Sequence, residues 1–211
     1  NFLQRTNIPV EVEVVGSAQQ GQLFFPGDTT SAGVPATVPA MMNGILPSAV
    51  TIEIAGPVGV DVLRFESGQD LDDIITAVNT RTAKTGLEAV RVSATDITSG
   101  ITFRTVGYGS DDEGLISVSR LGSSGSTFWQ TYQLPNDAPI ETLDWTNAAT
   151  YQAADTDEGA DVVALVNGSL ATGRGLELTL RSSDLDVEFL LDATFAQTVD
   201  PANSNTFNIT G

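Results

Sequence analysis

The sequence predicts a β-dominated α+β fold: antiparallel sheets with one short amphipathic helix packed on a sheet. Three observations lead there. Apolar and polar residues alternate through Val10–Val14, Val50–Ile54, Leu176–Leu180 and Leu185–Leu191, the period-two pattern of half-buried strands. One stretch carries helical periodicity, with Leu71, Ile74, Ile75 and Val78 at i, i+3, i+4 and i+7. Turn chemistry separates these segments, at Gly56-Pro57, Asn167-Gly168 and Ser182-Ser183-Asp184.

Taken in order, Val10–Val14 is the first strand and Gln22–Phe25 the second, stopped by Pro26-Gly27. Residues 26–48 hold Pro26, Pro35, Pro39 and Pro47 among Gly, Ser and Thr, which is loop chemistry. In Val50–Ile54, Val50, Ile52 and Ile54 share one face. Val58–Phe65 changes face midway, which a bulge or burial on both faces would explain.

The helix is expected over about 68–83. Ser67 with Asp70 forms a capping-box-like start. Asp70, Asp72 and Asp73 sit at the positive end of the helix dipole, Arg81 and Lys84 at the negative end. Gly86 suits a left-handed stop. Strands follow at Leu87–Ser93, Ile101–Val106 and Leu115–Leu121. Residues 122–160 are expected to be irregular and pinned by Phe128, Trp129, Tyr132, Trp145 and Tyr151. Order returns with Val162–Val166, the Asn167-Gly168 hairpin turn, a further turn at Ala171–Gly175, the two alternating strands, and Thr206–Gly211.

Composition narrows the chemistry. Of 211 residues, 27 are acidic and 9 basic, a net charge of −18, and Lys84 is the only lysine. Such a surface repels nucleic acid and anionic lipid, whose binding requires Lys and Arg to displace counterions. The chain has no cysteine and no histidine, which removes a reactive thiol, the commonest general base and the best zinc ligands. No window of 18 apolar residues is present, so no membrane-spanning helix is expected. The chain opens at Asn1 without an initiator Met or a signal segment and closes on a strand; it is expected to be a region excised from a longer polypeptide.

Candidate sites resolve into structural roles. Asp155-Thr156-Asp157-Glu158-Gly159-Ala160-Asp161 clusters carboxylates, but the twelfth position of a calcium loop would be Val166, so a solvated acidic loop is the better reading. Asp111, Asp112 and Glu113 are read the same way. Gly173-x-Gly175 and Gly107-x-Gly109 lack a following helix and a Lys, and are read as hairpin turns. Asp184 and Asp186 form a carboxylate pair on a solvent-facing strand. The aromatic residues at 129–151 could stack on sugars, though anchoring a loop is the commoner use of such spacing. Asn167-Gly168-Ser169 and Asn208-Ile209-Thr210 match an N-glycosylation sequon. No catalytic, cofactor-binding or metal-binding residue is expected, and no enzyme activity.

The segment 49–119 has the order strand, strand, short helix, strand, strand. It runs through Ser67-Gly-Gln-Asp-Leu-Asp-Asp-Ile-Ile-Thr-Ala-Val-Asn79 and Lys84-Thr-Gly-Leu-Glu-Ala-Val-Arg-Val92. It resembles the flagellin IN module of bacterial flagellins and related hook and cap proteins. Val163–Leu180, with its Asn-Gly and Ala-Thr-Gly-Arg-Gly turns, is similar to a pattern in the outer domains of flagellins and filament cap proteins. Val10–Phe25 resembles the entry strands of such domains. Residues 26–48 and 122–160 have no counterpart.

The resemblance implies the central, outer region of a bacterial flagellin, a structural part of the extracellular filament. The alternatives are the outer domain of a hook-junction or filament cap protein, or a secreted acidic adhesion or glycan-binding domain. The implied partners are other flagellin subunits, met mainly through terminal helices that this chain lacks, and surface glycans on the Ser/Thr-rich loops at 28–37, 93–99 and 122–127. Neither nucleic acid nor membrane is implied, and the isolated chain is expected to be monomeric. The expected domains are a discontinuous β domain, 1–48 plus 160–211, and an inserted IN-type module, 49–159.

Overall fold

The computed structural model describes residues 8–29, 41–96, 98–122, 128–135, 140–183, 185–199 and 205–209. In chain order the strands are β1 (Ile8–Gly16), β2 (Gln22–Phe25), β3 (Val50–Ala55), β4 (Val60–Phe65), β5 (Leu87–Arg91), β6 (Ile101–Thr105) and β7 (Leu115–Arg120). Then come β8 (Tyr132–Gln133), β9 (Gln152–Ala153), β10 (Thr156–Glu158), β11 (Val163–Val166), β12 (Ser169–Arg174), β13 (Glu177–Arg181), β14 (Asp186–Leu190) and β15 (Asn205–Ile209). The helices are short: α1 (Leu71–Asn79), α2 (Thr82–Thr85) and α3 (Ala193–Gln197). The fold is therefore β-dominated with antiparallel sheets, as the alternation predicts.

The chain divides into two compact units. The first comprises Asn1–Gln20, Tyr108–Gly114 and Gly159–Gly211; the second comprises Gly21–Gly107 and Leu115–Glu158.

The first unit holds one antiparallel sheet in the order β14-β13-β12-β11-β1-β15. Asn167 and Gly168 take positive φ of 50° and 76°, the left-handed pair that a two-residue hairpin between right-twisted strands requires. Asn167 also ties that hairpin to β1: its N–H donates to Glu11 O at 2.9 Å, and its Oδ1 accepts from Glu11 N at 2.8 Å. Val10, Val12 and Val14 of β1 and Ala164 and Val166 of β11 are buried, together with Leu178, Leu180 and Ala196. Asp192 caps α3 by accepting from the N–H groups of Thr194 and Phe195.

The second unit holds two sheets, β10-β7-β3-β4 and β5-β6-β2-β8-β9. Their inner faces share one core: Ile52 and Ile54 of β3, Phe65 of β4, Leu23 and Phe25 of β2, and Phe103 of β6. The stripe of α1 enters the same core through Leu71, Ile74 and Val78, as its spacing requires.

Four sequence expectations are corrected. The strands of 49–121 do not form one sheet: β3 and β4 pair with β7, whereas β5 and β6 pair with β2. A two-sheet arrangement buries one face of each sheet against the other, which a lone sheet with one short helix cannot do. For the same reason β2 lies in the second unit rather than beside β1. The face change in 58–65 needs no bulge, because β4 pairs with β3 in continuous register. It is an edge strand with Leu63 and Phe65 inward and Val60 and Val62 at 51% and 50% exposure outward.

The third correction concerns the helix. It starts at Asp70, whose side chain accepts from Asp73 N while Asp73 accepts from Asp70 N, a complete capping box one turn later than Ser67. Ser67 Oγ instead donates to Pro47 O. The helix breaks after Asn79, where Thr80 and Thr82 hydroxyls donate to the carbonyls of Ala77 and Asn79. α2 then ends at Gly86, which has the left-handed φ of 75° expected of it. Fourth, Ala171–Gly175 is mostly strand β12, and the turn lies at Gly175-Leu176.

Candidate functional site

In the second unit two open sheet edges, those of β5 and β4, are closed by polar side chains. The ladder between β5 and β6 leaves Leu87 and Ala89 facing the open side of β5. Asn79, the last residue of α1, closes that side. Its Nδ2 donates to Ala89 O at 3.0 Å and its Oδ1 accepts from Ala89 N at 2.8 Å. Thr85 Oγ1 accepts from Leu87 N at 3.2 Å.

On β4 the equivalent role falls to Asp61, whose Oδ1 accepts from Val62 N at 2.9 Å. Asp61 also binds Lys84 Nζ at 2.7 Å and Arg81 Nε at 3.3 Å. The Lys84 hydrogen bond, then that from Val62 N, hold its carboxyl below the ordinary aspartate range. Arg81 and Lys84 thus serve an ion pair with β4 rather than the end of one long helix.

In the first unit Asp161 binds three chain segments together. Its carboxylate accepts from Ser110 Oγ, from Ser110 N at 3.2 Å and from Gly175 N at 2.6 Å. Burial works to raise its pKa, but these hydrogen bonds prevail and the group lies below the ordinary value. Gly109 makes this approach possible: a Cβ there would stand 2.7 Å from Asp161 Oδ1 and 2.9 Å from Gly175 Cα, and its φ is +116°. Gly107-x-Gly109 is accordingly a close crossing of chain segments, not a hairpin turn.

The acidic run 155–161 is dispersed in the same way. Asp157 Oδ2 accepts from Gln22 N at 2.7 Å, and Asp161 serves the hub just described. Among the described residues no group of three or more Asp and Glu side chains is placed to hold a metal ion. Asp111 and Glu113 lie in a short 3-10 turn, with Glu113 3.9 Å from Arg174. Asp186 is exposed on β14, while Asp184 lies outside the described residues, as do 30–37, 97 and 123–127 of the Ser/Thr-rich loops and Thr210 of the second sequon.

The aromatic residues divide into two groups, and neither presents a flat platform. Trp129 is buried and stacked on Phe25 at a centroid distance of 4.2 Å. Tyr132 and Tyr151 are buried against Trp145 in a separate cluster. Trp145 Nε1 donates to Ser99 O at 3.3 Å, and Tyr151 Oη donates to Trp145 O at 3.1 Å. Burial, with the nearby Tyr151 phenol, pushes the Tyr132 hydroxyl up to about 12. These rings anchor the segment over the sheet, the commoner use of such spacing. No helix among the described residues is long and apolar enough to cross a membrane.

These features define a class: an acidic β-rich chain of two compact units whose polar side chains close sheet edges and join chain segments. Solved structures similar in fold to this chain include flagellar cap proteins. The D2–D3 domains of the flagellar cap protein FliD from Escherichia coli match with a TM-score of 0.52 and 13% identity, over 99% of this chain and 92% of that one. FliD (HAP2) from Pseudomonas aeruginosa PAO1 matches with a TM-score of 0.52 and 13% identity, over 100% and 83%. FliD from Bdellovibrio bacteriovorus matches with a TM-score of 0.50 and 13% identity, over 97% and 93%. At this identity the likeness is one of fold. No family model and no curated protein matches the sequence.

Proposed function

We propose that this chain is a structural region of a bacterial flagellum, the outer D2–D3-like part of a filament cap protein. The observation that carries the reading is the likeness in fold to three flagellar cap proteins along 97% to 100% of the chain. The order of strands and helix in 49–119 and the Asn167-Gly168 and Ala171–Gly175 segments support the same setting from the sequence side. In this reading the chain is extracellular, it is not an enzyme, and its partners are other subunits of the filament. The net charge of −18 keeps its surface hydrated and repels nucleic acid.

A second reading, the outer region of a flagellin, is favoured by the IN-type order of elements, which cap proteins and flagellins share. Copy number separates the two. Quantitative mass spectrometry of sheared flagella should find this chain at a few copies per filament if it belongs to a cap. A copy number equal to that of the bulk filament subunit would assign it to a flagellin. Absence from washed flagella would exclude both.

A further inference from the structure

The sheet of the first unit ends at β14, and that edge differs from those closed by Asn79 and Asp61. Ser182 N donates to Leu185 O, and Leu191 N donates to Leu176 O. These bonds set the phase of the ladder, so Val187 and Phe189 are the residues hydrogen-bonded to β13. The backbone N–H and C=O groups of Asp186, Glu188 and Leu190 consequently point to the open side. Among the described residues no side chain closes them as Asn79 closes Ala89. Such a row is a template for strand addition.

The side chains of the same three residues decide what can be added. All three lie on the solvent face, and Leu190 is 75% exposed. Glu188 stands diagonally across from Glu177 of β13, and the hydrogen bond and repulsion between the two carboxyls raise the Glu177 pKa. A second copy of β14 docked antiparallel about Glu188 would set Glu188 against itself, and like charges directly opposite destabilise a sheet pair. A strand carrying Lys or Arg there would relieve the existing repulsion. At the Leu190 end an open apolar groove of about 230 Å³, lined by Val12, Phe189, Leu191 and Phe195, offers a seat for an apolar side chain.

We propose that the open edge of β14 is a strand-addition site for an extended cationic segment of a partner protein, which places Lys or Arg against Asp186 and Glu188 and an apolar residue in the groove beside Leu190. The site is made by the first unit alone and does not depend on the flagellar reading.

The test uses the whole chain and a synthetic peptide of about eight residues, long enough for one strand, alternating Lys with Thr and ending in Leu. At about ten times its Kd the peptide should slow hydrogen exchange of the Asp186, Glu188 and Leu190 amides by about tenfold, leaving those of Val187 and Phe189 as they were. Glu188→Lys, an exposed change whose fold circular dichroism checks, should abolish this protection and confer it on the same peptide with Glu in place of Lys. Equal protection by both peptides, binding that leaves these three amides unprotected, or protection that rises with protein concentration without peptide would overturn the proposal.

Discussion

Asn79 stands in for a neighbouring strand: its carboxamide makes both hydrogen bonds, at 3.0 and 2.8 Å, that Ala89 would otherwise make to another chain. A carboxamide has the donor and acceptor geometry of a peptide group, so one side chain satisfies one position of an open edge. The helix therefore does more than cover the core with Leu71, Ile74 and Val78. Its last residue also terminates the sheet beside it.

Asn79→Ala removes the hydrogen-bond partners of both backbone groups of Ala89 and is expected to destabilise the second unit by about 1–3 kcal/mol. Asn79→Asp keeps the acceptor for Ala89 N and loses the donor, so it should fall between the two. Urea denaturation measures the loss. Hydrogen exchange should show the Ala89 amide accelerated in the alanine variant beyond what the global loss explains.

Asp61→Ala should convert β4 into an adhesive edge. The substitution frees Val62 N and leaves Arg81 and Lys84 without their carboxylate, beside Val60 and Val62 at about half exposure. Sedimentation velocity is expected to show concentration-dependent association of this variant and none of the parent chain. Lys84 is exposed while the Asp61 side chain is only 16% accessible, so added salt should weaken the pair only in part.

Asp161 makes the first unit sensitive to acid. Its folded pKa lies below the ordinary value, so its hydrogen bonds contribute in full above about pH 4. The contribution is lost as pH falls through the depressed folded value. Thermal midpoints measured from pH 6 down to pH 2 should drop less steeply for Asp161→Asn than for the parent chain. Asp161→Ala should cost about 2–4 kcal/mol at neutral pH, since several hydrogen bonds to a charged acceptor are lost together.

The two tryptophans should behave differently. Trp129→Ala empties a site against Phe25 and Phe103 and is expected to cost about 3–5 kcal/mol. Trp145→Ala loses contacts with Tyr132 and Tyr151 and one hydrogen bond to Ser99 O, a smaller effect expected to be about 1–2 kcal/mol. Chemical denaturation followed by circular dichroism separates them.

Local pattern carried much of this fold. Alternation marked β1, β3, β13 and β14, the stripe marked α1, and Asn167-Gly168 and Gly86 marked a hairpin and a helix stop. Pairing across long separations has no local signature. Nothing within Gln22–Phe25 says that it lies between β6 and β8 rather than beside β1. β8 and β9 have two residues each and β10 three, too short for any period to register. Trp129 and Tyr132 are near neighbours in sequence yet belong to different clusters, a division set by which face of the sheet each meets. The roles of Asn79, Asp61 and Asp161 could not be read from the sequence, because their backbone and side-chain partners lie on segments that only the assembled sheets bring near.

The central proposal is that this chain is the outer part of a filament cap protein, and position tests it most directly. Immunogold electron microscopy with antibodies raised against the chain, on intact flagella of the bacterium that encodes it, should place gold at filament tips and leave the shafts bare. Gold distributed along the shafts, or flagella without label, would contradict the account.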